Sequence, residues 1–369
     1  MRRFVVGSTV ASPPVLHLPQ HTMPPDPIVR PRRRRSAACG GVLRHALLLL
    51  ALLVAEPRAL DAQIRHVGEL TTREIQALDR SRTVVLLQGG MLEEHGPYLP
   101  AFTDGILSAR LASTLADSVA AQMPGWTVLV FPPISVGTSG SNEIGGQYVF
   151  PGTYAVRPSV LRAVFMDLAT EPGEQRFRRI FVVHVHGSPL HINALDQAGN
   201  FFHDTYGGTM VNLWGLLPVL AGWGSVTDKL PAAVKKEDGV SLHGGLDEHS
   251  MMLYLAPSLV AKDFRSAPTV AGASYDSAFA VARRPGWPGY LGAPRLASAM
   301  IGKRIWDGFA SATVRTAVEI LKGKDPSTYP RYMTFLRRNP LYRRWIAESE
   351  RRDSVLAEQQ RAWVRRQPR

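Results

Sequence analysis

Three short apolar runs set the architecture of this chain: TVVLLQGG at 83–90, WTVLVFPPI at 126–134 and RIFVVHVHG at 179–187. Each is four to six apolar residues rich in Val, Leu, Ile and Phe, with no alternation of polar residues. That is the pattern of strands buried on both faces. Between them the period changes. Leu107, Leu111, Leu115 and Val119 make one stripe of a helix across 104–122, and Val160, Leu161, Val164 and Leu168 do the same across 158–171. A further strand is expected near 209–215, and helices near 191–205, 247–256 and 295–322. Strands alternating with helices imply an α/β fold, with a largely parallel central sheet covered by helices on both faces as a single catalytic domain. Residues 257–294, rich in Pro, Gly and Ala, read as a long irregular connection over the surface.

The 369 residues carry a net charge of +13, and its distribution matters more than its size. Nine Arg against three acids lie in 1–62, and eleven Arg against four acids lie in 331–369, which accounts for all of it. The body of the chain is neutral, so it offers no basic track for a phosphate backbone, and no nucleic-acid partner is expected. Arginines 32–35, the apolar run HALLLLALLVA at 45–55 and a small residue at Ala62 form a secretory signal. The run falls short of the roughly 20 residues of a bilayer span, although an uncleaved anchor is the alternative. Export to the periplasm or beyond, with cleavage near Ala62, is therefore expected. The divisions are a leader (1–62), a hydrolase domain (63–325) and a basic, helical C-terminal tail (326–369). Membrane contact is expected only through the signal segment or that tail, which also suits a solvated or partner-packed helix. The single cysteine, Cys39, lies in the leader. Its removal leaves His, Asp and Glu as the available metal ligands.

Such residues cluster in three segments. In LLQGGMLEEHGPYLPAFTDG (86–105), Glu93 and His95 are two apart, so on an extended chain they face one target. Carboxylate oxygen and imidazole nitrogen are donors that zinc, manganese and iron accept. Asp104 follows at a helix start, with two oxygens able to bridge a pair of metals; Thr103 and Asp104 equally suit helix caps. In IFVVHVHGSPLHINAL (180–195), His184 and His186 lie on one face at a strand end and His191 follows, where α/β folds place their sites. In LHGGLDEHSMMLYLAP (242–257), His243, Asp247, Glu248 and His249 surround a Gly-Gly turn entering a helix, where acids also suit the helix dipole.

Together these segments resemble the creatininase family of amidohydrolases. The run GGMLEEHGPYLPAFTD matches the family's Glu-x-His-Gly-Pro-His-Leu-Pro-x-x-Thr-Asp pattern at Glu93, His95, Gly96, Pro97, Leu99, Pro100, Thr103 and Asp104. FPGTY (150–154) is similar to its Phe-Pro-Gly-Thr signature, and His186-Gly187 to its His-Gly segment. His243, Gly245, Glu248 and Ser250 match its His-Ala-Gly-Glu-x-Glu-Thr-Ser run, and GYLGAPRLASAMIGKRI (289–305) its closing segment.

The resemblance implies two divalent metal ions (zinc, manganese or iron) on Glu93, His95, Asp104 and His186, with Asp104 bridging. It implies hydrolysis of a small-molecule, non-peptide amide (a cyclic amide or formamide) by metal-activated water, with His243 as proton shuttle. It also implies a homo-oligomer, commonly a hexamer. The departures fall around the expected pocket: Tyr98 for His, His184 for Asn, Ser188 for a ligating Glu, and His249 for Thr. Glu248 then becomes the fifth ligand or a catalytic group, and creatinine is not the assumed substrate. Two rivals remain. One is a non-catalytic exported protein that binds metal or ligand on this fold. The other, a phosphoesterase, lacks a Gly-rich phosphate loop near the candidate ligands.

Overall fold

The computed structural model describes residues 63–368. Residues 1–62, where a leader and signal segment are expected, lie outside the described residues, as does Cys39. Among those described, no helix is long and apolar enough to cross a membrane.

Five parallel strands form one sheet in the order β1–β3–β2–β4–β5: β1 Gln63–His66, β2 Thr83–Gly89, β3 Thr127–Val130, β4 Arg179–His184 and β5 Thr209–Asn212. Helix α1 (Thr72–Gln76) lies between β1 and β2 and opens with a Thr71–Glu74 capping box. Helices α2 (Thr103–Gln122), α3 (Pro158–Glu174) and α4 (Pro189–Tyr206) connect the next strands in turn. Successive strand residues divide between two cores, as a period of two requires. Val84, Leu86, Val128, Val130, Phe181 and Val183 pack with Leu107, Leu111, Leu115 and Val119 of α2 on one face. Val85, Leu87, Leu129, Ile180 and Val182 pack with α3 and α4 on the other. The stripe on α3 is rotated from the expected one. Leu161, Phe165 and Ala169 are its deepest residues, flanked by half-buried Val164 and Leu168.

The connection from β2 passes over one face to β3, and the connection from β3 passes over the opposite face to β4. Strands β2 and β4 are neighbours, so their carboxyl ends diverge into loops and leave a crevice, the topological switch point where open α/β sheets bind ligands. Gly90 makes the turn out of β2 possible: a Cβ there would lie 2.5 Å from the Gly105 nitrogen of α2.

After β5 the chain is helical: α5 (Leu217–Thr227), α6 (Ala232–Asp238), α7 (Leu246–Leu255), α8 (Tyr275–Ala282), α9 (Ala299–Leu321), α10 (Tyr332–Leu336) and α11 (Pro340–Arg365). The expected surface connection at 257–294 is corrected by α8, and by the burial of Phe264, Phe279, Trp287, Tyr290 and Leu291. Small residues dominate that stretch and disguise its few large ones, which do the packing. In the basic C-terminal segment, residues Tyr332–Leu336 and Pro340–Arg365 are helical. One face of α11 is closed onto the body through Tyr342, Trp345 and Ser349, all at most 5% exposed.

Candidate metal centre

The residues singled out in the first segment converge at the switch point. Glu93 and His95 follow β2 on extended chain, Asp104 sits in the first turn of α2, and His186 lies two residues beyond β4. The N-cap of α2 is Phe102, and Thr103 donates its hydroxyl to the Pro100 carbonyl at 2.7 Å. Neither Thr103 nor Asp104 is spent as a cap. His243 and Glu248 come from the turn into α7 and its first turn. Gly244 shapes that turn with φ +56°, and a Cβ there would strike Tyr290 and the His95 carbonyl.

His186 Nδ1 stands 2.9 Å from Glu93 Oε2 and 3.0 Å from Asp104 Oδ2. His95 Nε2 stands 3.3 Å from Asp104 Oδ1 and 3.8 Å from Glu248 Oε2. His243 Nδ1 stands 3.8 Å from Glu93 Oε1. These atoms compose three overlapping triads with all donor atoms within 4.8 Å of one another: Glu93–His95–His243, Glu93–Asp104–His186 and His95–Asp104–Glu248.

The second nitrogen of each imidazole decides what the first can do. His95 Nδ1 faces the Glu93 carbonyl at 3.0 Å. His186 Nε2 faces the Thr138 and Ser139 carbonyls at 3.2 and 3.3 Å. His243 Nε2 faces the Glu94 carbonyl. A carbonyl only accepts, so each of these nitrogens carries its proton and the opposite nitrogen offers a lone pair to the centre. Consistent with this, Glu93 Oε2, Asp104 Oδ2 and His95 Nε2 are buried without a directional hydrogen bond despite their close neighbours. Three converging electron-pair donors with no donated proton between them fit a cation, and two carboxylates with imidazoles are the donor chemistry of zinc and manganese.

Electrostatics point the same way. The carboxylates that would hold a cation otherwise draw a proton onto the same nitrogens: burial alone would lower His95, but Glu248, Asp104 and Glu93 raise it to about 10. Burial likewise opposes charge on His186, yet Glu93 and Asp104 hold it well above the imidazole range. The cluster is thus a strongly negative point within a buried crevice. Its outer members behave otherwise. Burial raises Glu248 to about 8 and, with the charge of Glu93, raises Glu94 to about 9. Burial lowers His243 to about 4 against the pull of Glu93, leaving a neutral imidazole.

Not every candidate joins the centre. Strand β4 ends at His184, and His186 N–H turns back to the His184 carbonyl at 3.1 Å. The His184 ring then packs edge-on against Phe165 and beside His191, and burial lowers it to about 3. Asp247 points to Trp223 Nε1 at 2.7 Å, and His249 Nδ1 to the Gly245 carbonyl. The Gly/Ser-rich loop 137–141 was missed from the sequence. It supplies the carbonyls that fix His186 and the Ser141 N–H that binds Glu93 Oε1 at 2.5 Å. Its signal was a run of small polar residues after a buried strand. The FPGTY segment has a local reason too: the Thr153 hydroxyl accepts the Glu94 N–H at 3.1 Å.

A cavity of about 290 Å³ opens on the centre, reaching Glu93, Asp104, His186, His243 and Glu248 at its floor. A parallel α/β sheet with a carboxylate–imidazole centre at its switch point is an architecture found among hydrolases. Comparison with known proteins makes the class specific. The Creatininase family profile, described as creatinine amidohydrolase, matches residues 68–317. The chain is 27% identical over 259 residues to a mycofactocin precursor peptide peptidase of Mycobacterium ulcerans (strain Agy99), covering 65% of this chain and 86% of that protein. It is 29% identical over 206 residues to the creatinine amidohydrolase of Pseudomonas putida, covering 53% of this chain and 74% of that protein. Solved creatininases share the fold. A manganese form aligns with TM-score 0.51 and 24% identity, and a mutant of Zn–Zn type with TM-score 0.52 and 23% identity. Each covers 69% of this chain and 98% of its own. This chain belongs to the creatininase family of hydrolases.

Proposed function

We propose that the protein hydrolyses an amide C–N bond with two divalent metal ions held by Glu93, His95, Asp104, His186 and Glu248. The observation that carries this reading is the trio of overlapping donor triads sharing Glu93, His95 and Asp104, with buried donor atoms that lack hydrogen-bond partners. Asp104, with one oxygen toward each of two imidazoles, would be the carboxylate shared by the two ions. When bound, the metals supply Lewis-acid activation of the amide carbonyl and of the attacking water.

The chain's own groups do the rest. His95 and His186 are locked in one tautomer by carbonyls, so their donor nitrogens need no reorganisation. His243 is held through Nε2 while Nδ1 faces the reacting region as a neutral base. It accepts the proton of the attacking water and returns it to the leaving nitrogen as the C–O bond forms and the C–N bond breaks. Trp214 and Trp223, with Tyr342 and Trp345 of α11, line the cavity above these groups.

Similarity to a peptide peptidase favours a second version of the same chemistry, in which the amide is a peptide bond. The deciding experiment offers the purified protein cyclic amides, formamides and short peptides, before and after chelation. Chelator-sensitive turnover that zinc or manganese restores is expected. Metal binding without turnover of any amide would favour a non-catalytic binding protein instead.

A further inference from the structure

The cavity above the metal centre has a wall that the family match does not reach. Residues 331–349 lie beyond the matched span of 68–317, yet Tyr332, Tyr342 and Trp345 line the same cavity as Glu93 and Asp104. With Tyr275, Trp214 and Trp223 they surround it with six aromatic rings. Tyr342 and Trp345 lie 6.0 Å apart at 35°, and Phe279 backs both at 5.9 and 6.2 Å. Elsewhere in the lining, Trp214 and Trp223 stand 5.1 Å apart with their rings inclined at 70°. The wall is anchored. Ser349 donates to Glu143 at 2.6 Å, and the Arg352 guanidinium lies 4.4 Å over the Tyr148 ring.

Two further features narrow what fits. Among the described residues, no Lys or Arg lines the cavity, although the chain as a whole is strongly basic. Away from the metal centre the wall therefore offers no side-chain cation to receive a carboxylate or phosphate carried by the rest of the substrate. Trp214 Nε1 and Ser188 Oγ, both in the cavity lining and at most 9% exposed, have no hydrogen-bond partner. Both atoms are enclosed within the lining, unpaired neutral polar groups beside the cavity rather than charges that could receive an anion.

We infer that the C-terminal segment 331–349 forms a specificity wall, and that the substrate amide carries a flat aromatic group with no negative charge, sandwiched against Tyr342 and Trp345. Planar groups gain from offset or edge-on contact with such rings, whereas an anion would lose its hydration here without a partner. This inference rests on the amide reading for the identity of the scissile group, but the aromatic preference is a binding property and is read without turnover.

The test is calorimetric titration of the full-length protein with acetanilide, acetamide and 4-acetamidobenzoate. The wild type is expected to bind acetanilide at least tenfold more tightly than either of the others. Trp345→Ala should remove about tenfold of the acetanilide affinity and leave acetamide unchanged, while Trp345→Phe restores most of it. Equal affinity for the carboxylated analogue, or an aromatic preference that survives Trp345→Ala, overturns the wall. Should Trp345→Ala not fold, the wild-type ranking and Trp345→Phe still decide. Aryl selectivity in a protein that hydrolyses no amide refutes the reaction and keeps the wall. Amide hydrolysis without aryl selectivity does the reverse.

Discussion

Asp104 places Oδ2 3.0 Å from His186 Nδ1, so the first turn of α2 and the loop beyond β4 meet at a single carboxylate. The other oxygen of that carboxylate faces His95 at 3.3 Å. The relationship depends on the sheet order. Only because β2 and β4 are neighbours, with crossovers on opposite faces, do residues 82 apart in sequence reach one another there.

His243 has a role distinct from that of the ligands. Its Nε2 is tied to the Glu94 carbonyl, and burial keeps it neutral. His243→Ala should retain metal and lose turnover by roughly 10²–10⁴-fold, the usual contribution of a positioned acid–base group. Elemental analysis alongside steady-state rates checks this. Loss of metal in that variant would move His243 into the ligand set, through the triad it shares with Glu93 and His95.

Removing metal should also weaken the fold. Chelation leaves Glu93, Asp104 and the imidazoles with buried, converging lone pairs, and a ligand that binds only the native state stabilises it by mass action. A drop of roughly 5–10 °C in Tm is expected on chelation and recovery on adding zinc or manganese. Scanning calorimetry of the two forms reads it; superimposable transitions would count against a bound metal.

The helix carrying Glu248 is positioned by a glycine contact outside the centre. A Cβ at Gly302 of α9 would fall 1.8 Å from the Ser250 carbonyl of α7. Gly302→Ala must push the two helices apart, and a cost of about 1–3 kcal/mol is expected from overpacking of this kind. Urea denaturation measures it, and an unchanged midpoint would show that the interface yields freely.

Asp196 on α4 gives a pH signature remote from the centre. Burial raises its carboxyl to about 6, and Arg331 at 3.3 Å offsets only part of that. Its folded value lies above the ordinary 3.8, so the native state binds the proton more tightly than the unfolded chain. Its contribution to stability is therefore greatest below about pH 4 and is lost as pH rises toward about 6. Asp196→Asn should flatten that part of the stability–pH profile. Urea midpoints at pH 4, 5, 6 and 7 for both proteins provide the check, with an identical slope as the contrary result.

Much of this was legible in the sequence, for physical reasons that differ by element. Strands β2, β3 and β4 announced themselves because strands covered on both faces must be apolar throughout. Glu93 and His95 were legible as a pair because extended chain brings alternate residues to one side. Strand β1, Gln63–His66, was not legible: it is a polar edge strand of four residues, paired on one side only. The Ser141 and Thr138–Ser139 contacts were not legible either, because they use backbone atoms that every residue possesses. The inner face of α11 was hidden by its arginines, all but Arg352 exposed to solvent, while Tyr342 and Trp345 line the cavity.

The most direct measurement is the metal content of the purified protein after supplementation with zinc or manganese, in wild type and in Asp104→Ala. Two divalent ions per chain are expected in the wild type, and at most one, weakly held, once the shared carboxylate is gone. Equal metal in the two proteins, or none in the wild type, would contradict a centre built around Asp104.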